Sequence, residues 1–293
     1  MSGAALSYAL VTPAKDEAEN LGRLADCILA QRVRPARWLI VDNGSTDETP
    51  ALAARLADEH DWIVPLAVPG DAMAPGPPVV RSFNAGLAAL DVHADVIVKL
   101  DADVSVDPDY FARLIGEFEA DTELGIASGV CLELERGEWV ERHVTGDHVR
   151  GATRAYRAAC LEAIGPLPEA VGWDGVDELK ANVLGWRTAS IDGLPFYHHR
   201  NVGERDGAPT KRWLAEGRCA HFMGYRLSYL VVRTLGRALR DRDPAALAML
   251  GGYVAAAVRR EPRYGDREVR EYLRRQQSVR HLPLRVLESL GRR

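Results

Sequence analysis

The sequence predicts an α/β fold in which a mostly parallel sheet carries helices on both faces and is followed by an α-helical extension. Three observations predict it. Short, wholly apolar runs alternate with helix-period segments over the first hundred residues, as in sheets whose strands are buried on both sides. Polar clusters stand at the carboxyl ends of those runs, where open α/β sheets bind their ligands. The sign of the charge also reverses near residue 210. Residues 1–210 carry 18 Lys+Arg against 34 Asp+Glu, a balance of −16; residues 211–293 carry 19 against 8, a balance of +11.

Ser7 to Val11 is the first strand, stopped by Thr12-Pro13, and Leu21, Leu24, Ile28 and Leu29 set a helix over 18–32. Trp38 to Val41 is the second strand, and its break at Asp42-Asn43-Gly44-Ser45-Thr46-Asp47 leads into a helix over 50–60. A third strand covers 63–68. After a Pro/Gly-rich loop, a helix covers 82–89 and a fourth strand, Val96 to Leu100, ends in Asp101-Ala102-Asp103. A helix over 108–118 and a strand over 126–134 follow, and past Val140 the alternation loosens.

The basic end reads as one long helix from Trp213 to Arg240, with Leu227, Val231, Leu235 and Leu239 on one side and Arg226, Arg233, Arg237 and Arg240 near the other. Such a helix either lies on an anionic membrane or packs on the catalytic domain with its arginines in water. The apolar stretch Pro244 to Val258 is shorter than the roughly 20 residues a spanning helix needs. The tail from Arg259 to Arg293 is arginine-rich with helical patches.

Bulk properties narrow the function. At 47% hydrophobic and 27% charged, the 293 residues make an ordinary globular chain. The acidic first part argues against nucleic acid as a partner. Cys27, Cys131, Cys160 and Cys219 form no CxxC pair and read as packed thiols of a reducing compartment. With no signal peptide before Tyr8, a cytoplasmic address is expected, and the membrane reading of the basic helix would add peripheral contact at the inner face of a membrane.

Asp101-Ala102-Asp103 places two carboxylates at i and i+2 beyond a buried strand, able to hold a hard cation such as Mn²⁺ or Mg²⁺ and, through it, a diphosphate. Asp42 ends another strand, where it can accept a hydrogen bond from a base while Ser45 or Thr46 starts the next helix.

Four blocks occur in order: Thr12-Pro13-Ala14-Lys15-Asp16-Glu17 with Asn20-Leu21, Val41 to Asp47, Arg81-Ser82-Phe83-Asn84-Ala85-Gly86-Leu87, and Leu100 to Asp103. Their order and spacing resemble the nucleotide-sugar-binding half of family 2 glycosyltransferases. The likeness continues through Arg150 to Arg157, Ile164-Gly165, Gly172 to Glu178, Gly185-Trp186 and His198-His199-Arg200, covering roughly residues 7–203. It implies a GT-A catalytic domain over 1–205, with a nucleotide-sugar half over 1–105 and an acceptor half over 106–205, and a basic helical extension over 206–293.

The resemblance also implies roles. Thr12, Pro13, Ala14 and Glu17 would line the nucleobase and ribose site, with Asp42 on the base edge. Arg81 and Asn84 would lie near the donor phosphates or ribose, and Lys99 beside the donor. Asp101 and Asp103 would bind the metal and diphosphate, with Ala102 near the ribose. Lys15-Asp16 stands where the family has an aromatic-Asn pair, so nucleotide preference does not carry over.

The family's general base is an acidic residue late in the domain, for which Asp174 and Asp177 both qualify. Counting back from Gly185 favours Asp174, while a helix beginning near Asp177 would make that residue an N-cap. His198 or His199 resembles the third metal ligand of some relatives, the alternative being one packed and one solvated imidazole. Arg200 could neutralise the leaving diphosphate. His143, His148 and Arg150 receive no role.

The function implied is transfer of a sugar from a nucleotide-diphosphate sugar to a hydroxyl acceptor (a glycan, a lipid-linked or a small molecule), inverting, with an Asp base. A sugar-phosphate nucleotidyltransferase would carry a Gly-rich basic loop after the first strand, and this chain does not. A dehydrogenase would carry GxGxxG there. A non-catalytic nucleotide-sugar binder would have lost the acidic residues. No Gln-x-x-Arg-Trp motif is present, which argues against a processive synthase.

Overall fold

The computed structural model describes residues 5–70, 76–135, 137–141, 148–200, 209–240 and 243–278. The chain divides into two compact units, residues 1–200 and 201–293.

The first unit is built on a nine-stranded sheet. Its strands are β1 (Tyr8–Ala14), β2 (Arg37–Asp42), β3 (Ile63–Ala67), β4 (Val96–Leu100), β5 (Val104–Val106), β6 (Leu124–Glu135), β7 (Glu138–Glu141), β8 (Thr153–Arg157) and β9 (Arg187–His198). They run in the order β3-β2-β1-β4-β8-β6-β9-β5, with β7 paired to β6. Strands β3, β2, β1 and β4 are parallel to one another, β8 lies antiparallel between β4 and β6, β6 and β9 are again parallel, and β5 is antiparallel to β9. The first half is the expected parallel sheet, and β5, β7 and β8 make the whole a mixed one.

Helices α1 (Ala18–Leu29), α2 (Thr49–Glu59), α3 (Pro77–Ala88), α4 (Tyr110–Ala120), α5 (Ala158–Ile164) and α6 (Trp173–Val183) connect the strands. Neighbouring residues of one strand enter opposite cores, as the period of two demands. Leu10, Ile40 and Val98 pack with Leu24, Phe111 and Phe118, whereas Val11, Leu39 and Val41 pack with Phe83, Tyr156 and Trp173. Both faces are therefore covered.

Strand β1 does not stop at Thr12-Pro13 but runs on to Ala14. Its pairs with β4 end at Val11, so Pro13, which has no N–H, lies beyond the last β4 pair and leaves no ladder donor missing on that side.

The second unit holds α7 (Pro209–Met223), α8 (Leu227–Arg240), a 3-10 turn (Pro244–Leu247), α9 (Ala248–Val258) and α10 (Arg267–Gln276). The expected single helix from Trp213 to Arg240 is two. Gly224, at φ 80°, ends α7 in a Schellman motif: its N–H donates to His221 O (3.0 Å) and the Tyr225 N–H donates to Ala220 O (2.9 Å). Helices α7 and α9 meet through glycines, since a Cβ at Gly217 would lie 2.0 Å from Met249 O and one at Gly252 2.1 Å from Leu214 O.

The orientation of α8 corrects the sequence reading. Leu230 and Thr234 are buried, Arg233 lies over the Tyr225 ring and Arg237 over the Trp213 ring, while Leu227, Leu235 and Leu239 are exposed at 50%, 46% and 80%. Arginine stems packed on aromatic faces take the inner side, leaving the leucine stripe outside. Arg240's side chain and residues 279–293 of the tail fall outside the described residues. No described helix is long and apolar enough to cross a membrane.

Candidate active site

The site grows from the end of β4, whose five residues are all buried. Asp101 leaves the strand with its N–H donating to Ala152 O (2.8 Å), and Ala102 turns inward at 3% exposure. Asp103 then enters β5, which pairs with β9 so that Val104 stands opposite His198. The short connection from β4 to β5 thus brings the DxD, through Asp103, beside His198 and Arg200, nearly a hundred residues on.

Cations meet each carboxylate. The Lys99 ammonium donates to Asp101 and to Gly151 O (3.0 Å) and lies over the Trp173 ring. Burial pushes the Asp101 carboxyl up, against the pull of Lys99. Asp103 Oδ1 lies 3.3 Å from His198 Nε2, and Asp103 Oδ2 lies 3.2 Å from Arg200 Nη1. Burial opposes the Asp103 charge, but the hydrogen bond and charge of His198, with Arg200, hold its carboxyl below the usual range. His198 responds in kind: burial works against its cation, yet Asp103 keeps its proton affinity raised.

His199 does not join them. Its ring meets Ser105 Oγ at 2.7 Å and stands edge-on to Trp139, and burial lowers its proton affinity. Only its backbone N–H reaches Asp103, donating to the carbonyl oxygen (2.9 Å). Of the two histidines, the strand's alternation turns His198 to the carboxylates.

The donors fit a divalent cation. Asp101, Asp103 and His198 offer hard oxygens and one imidazole, and the protein already surrounds these carboxylates with Lys99, His198 and Arg200, the positive charge such a pair requires when buried. Arg200 continues outward as a bidentate partner of Glu17, 2.8 Å from each carboxylate oxygen, which in turn accepts from Asn20 Nδ2 (2.7 Å).

Residues 9–157 match glycosyl transferase family 2, just over half of the 293-residue chain. The chain belongs to this family. It is a glycosyltransferase drawing on a nucleotide-sugar donor. Solved structures share its fold. A mannosyltransferase from Pyrobaculum calidifontis, PcManGT, determined with GDP-Man and Mn²⁺, is 16% identical with a TM-score of 0.61, over 98% of this chain and 85% of that one. TarS 1-349 from S. aureus is 13% identical with a TM-score of 0.59, over 98% and 91%. GalNAc-T7, determined with UDP, GalNAc and Mn²⁺, is 13% identical with a TM-score of 0.59, over 78% and 50%. A comparison with curated proteins finds no match.

In this glycosyltransferase the first two motif loops are tied to each other. Lys15 Nζ donates to Asn43 O (2.9 Å) and Gly44 O (3.0 Å), while Asp16, at φ 52°, accepts from the Thr46 N–H (2.7 Å). The Lys15-Asp16 pair that departs from the family pattern is thus a clasp between the loops. Asp42 accepts from the Ser45 N–H (3.1 Å), closing its own turn. Thr12 is fully buried and accepts from the Trp38 indole (2.9 Å), so its side chain serves the sheet. Pro13 and Ala14 form the strand's end behind these loops. On α3, Arg81 pairs with Glu169 (3.1 Å) and Asn84 Nδ2 donates to Leu167 O (3.2 Å).

The two candidate bases part company. Helix α6 begins at Trp173, after Gly172 at φ 86°, and not near Asp177. Asp177 is therefore in the helix body, turned inward at 1% exposure. It accepts from Arg154 Nε (3.0 Å) and the Tyr156 hydroxyl (2.6 Å) on one oxygen, and from Arg154 Nη2 (2.8 Å) and the Glu178 N–H (2.7 Å) on the other. Burial pushes its carboxyl up to about 6 in spite of Arg154. Arg154, wholly buried on β8, also donates to Glu178 Oε1 (2.8 Å) and Asp174 O (2.7 Å). His148 has its partner here too, with Nδ1 3.0 Å from Glu178 Oε2, whereas His143 falls outside the described residues.

Asp174 is half-buried in the first turn of α6, with a carboxylate oxygen 3.7 Å from where a Cβ on Gly151 would sit. Gly151 is the residue whose carbonyl Lys99 holds. Asp174 therefore stands on the Lys99–Asp101 side, and Asp177 behind it. Arg154 lies in the Arg150–Arg157 block, to which the resemblance gives no role. Its signal is an arginine inside a short strand, before Ala155 and Tyr156, which on burial demands a carboxylate.

Proposed function

We propose that this glycosyltransferase moves a sugar from a nucleoside-diphosphate sugar to a hydroxyl acceptor with inversion, using Asp174 as the base. The observation that carries the reading is the pairing of His198 with Asp103 just beyond β4 and Asp101, with Asp174 next to Gly151 on the Lys99–Asp101 side. Asp101, Asp103 and His198 would hold a divalent metal, Mn²⁺ or Mg²⁺. When bound it neutralises the charge that grows on the leaving diphosphate. Arg200 and Lys99 add fixed positive charge there. Asp42, at the end of β2, and Glu17, in the turn after β1, suit the nucleobase and ribose, with Arg81 and Asn84 toward the phosphates. The Asp174 carboxylate takes the acceptor hydroxyl's proton as its oxygen attacks the anomeric carbon, and a single base matches direct displacement.

The test is slow hydrolysis of a panel of nucleotide sugars by the purified chain with Mn²⁺, Mg²⁺ or EDTA. Cleavage of one donor, needing metal and absent in Asp101→Ala, is the expected result. Failure to cleave or bind any donor contradicts it.

A lipid-linked acceptor is favoured by α8, whose leucine stripe is exposed in a unit of strongly basic sequence. Exposed apolar side chains in a segment with a charge balance of +11 suit the surface of an anionic bilayer. Vesicles rich in anionic lipid are expected to carry the chain down on sedimentation, and Leu235→Glu with Leu239→Glu to leave it in the supernatant. Equal recovery of both proteins in the supernatant rejects membrane contact.

A further inference from the structure

Next to the DxD lies a second set of metal-ligating side chains with a different chemical character. Cys131 and Glu133 are i and i+2 on β6 and share one face. In the parallel β6–β9 register Glu133 stands opposite His198. One ligand atom from each of Cys131, Glu133 and His198 lies within 4.8 Å of the others. Bonds of about 2.0–2.3 Å to a tetrahedral zinc place ligand atoms roughly 3.5 Å apart, so rotamer adjustments of about an ångström close the set.

We propose that Cys131, Glu133 and His198 bind a borderline-soft divalent cation of the Zn²⁺ type, at a site separate from the DxD and sharing His198 with it. Donor chemistry separates the two. A thiolate, a carboxylate and an imidazole select Zn²⁺ or Co²⁺, whereas Mn²⁺ and Mg²⁺ prefer the oxygens of Asp101 and Asp103. Burial agrees with a three-ligand site open on one side. Cys131 and Glu133 are 2% and 3% exposed, and the His198 side chain 13%. A carboxylate at that depth needs positive charge at hand, which the imidazole or a metal supplies. Because His198 now faces Asp103 Oδ1, a cation held by Cys131 and Glu133 draws that ring away from the DxD.

The experiment is titration of the full chain with Co²⁺, read by the thiolate-to-cobalt absorption band, followed by displacement with Zn²⁺. One equivalent giving the band is expected in the unaltered protein and in Asp101→Ala. Cys131→Ser should abolish the band and Glu133→Gln should weaken Co²⁺ binding at least about tenfold, each with an unchanged circular dichroism spectrum. Absence of the band in the unaltered protein overturns the proposal, as does its survival in Cys131→Ser, which would place it on another cysteine. Loss in Asp101→Ala also overturns it, because the ion would then sit on the DxD. The readout is metal binding alone, so failure of the transferase reading shows separately, in donor hydrolysis.

Discussion

Asp174→Asn is expected to lower kcat by about 10²–10⁴-fold, the usual contribution of a positioned general base, with little change in donor binding or thermal midpoint. The side chain is half-buried and adjoins Gly151, and the backbone carbonyl that Arg154 holds is untouched by the substitution. Asp177→Asn should give the opposite pattern. Its carboxylate has both oxygens engaged by Arg154, Tyr156 and a backbone N–H, so the amide loses charge pairing inside the fold. Transfer rates and melting curves on both variants check this. A full-rate Asp174→Asn, or a folded but inactive Asp177→Asn, would reverse the assignment.

Arg154→Met is expected to cost about 3–5 kcal/mol of stability, the penalty for stranding a buried charge by removing its partner. Arg154 has no exposed surface, and its loss leaves Asp177 and Glu178 facing each other in the core behind α6. It also removes the donor that fixes the Asp174 carbonyl, so activity should fall with the fold. Urea unfolding measures the first effect. A loss below about 1 kcal/mol would mean that the paired charges do little for the fold. The double variant Arg154→Met with Asp177→Leu should recover part of the loss, because it removes the Asp177 charge and leaves Glu178 with His148 and the Val149 N–H.

Much of this was legible in the sequence, for physical reasons that differ by residue. Val96–Leu100 followed by Asp101-Ala102-Asp103 announces a buried strand feeding a ligand site, because a strand covered on both faces must be apolar throughout and then turn. The blocks at Thr12 and Asp42 carried the family for the same reason, since they sit where parallel strands end, whereas the Arg81 block lies on α3. What stayed hidden depends on parity and on distant partners. Whether His198 or His199 faces the DxD is set by the β5–β9 register. The fate of Asp177 is set by where α6 begins: a left-handed Gly172 starts it at Trp173, four residues before the expected start at Asp177. The inversion of α8 depends on Trp213 and Tyr225, aromatic rings of the preceding segment that receive its arginines. Pro13 misled because its missing N–H matters only on a side where a partner strand continues.

The most direct test of the metal-bound diphosphate site is calorimetry of nucleoside diphosphate binding, with Mn²⁺ and with EDTA, on the unaltered chain and on Asp103→Ala. Binding that needs Mn²⁺ and is lost in Asp103→Ala is the predicted result. Binding of equal strength in EDTA, or in the variant, would contradict the placement of the donor's diphosphate at the end of β4.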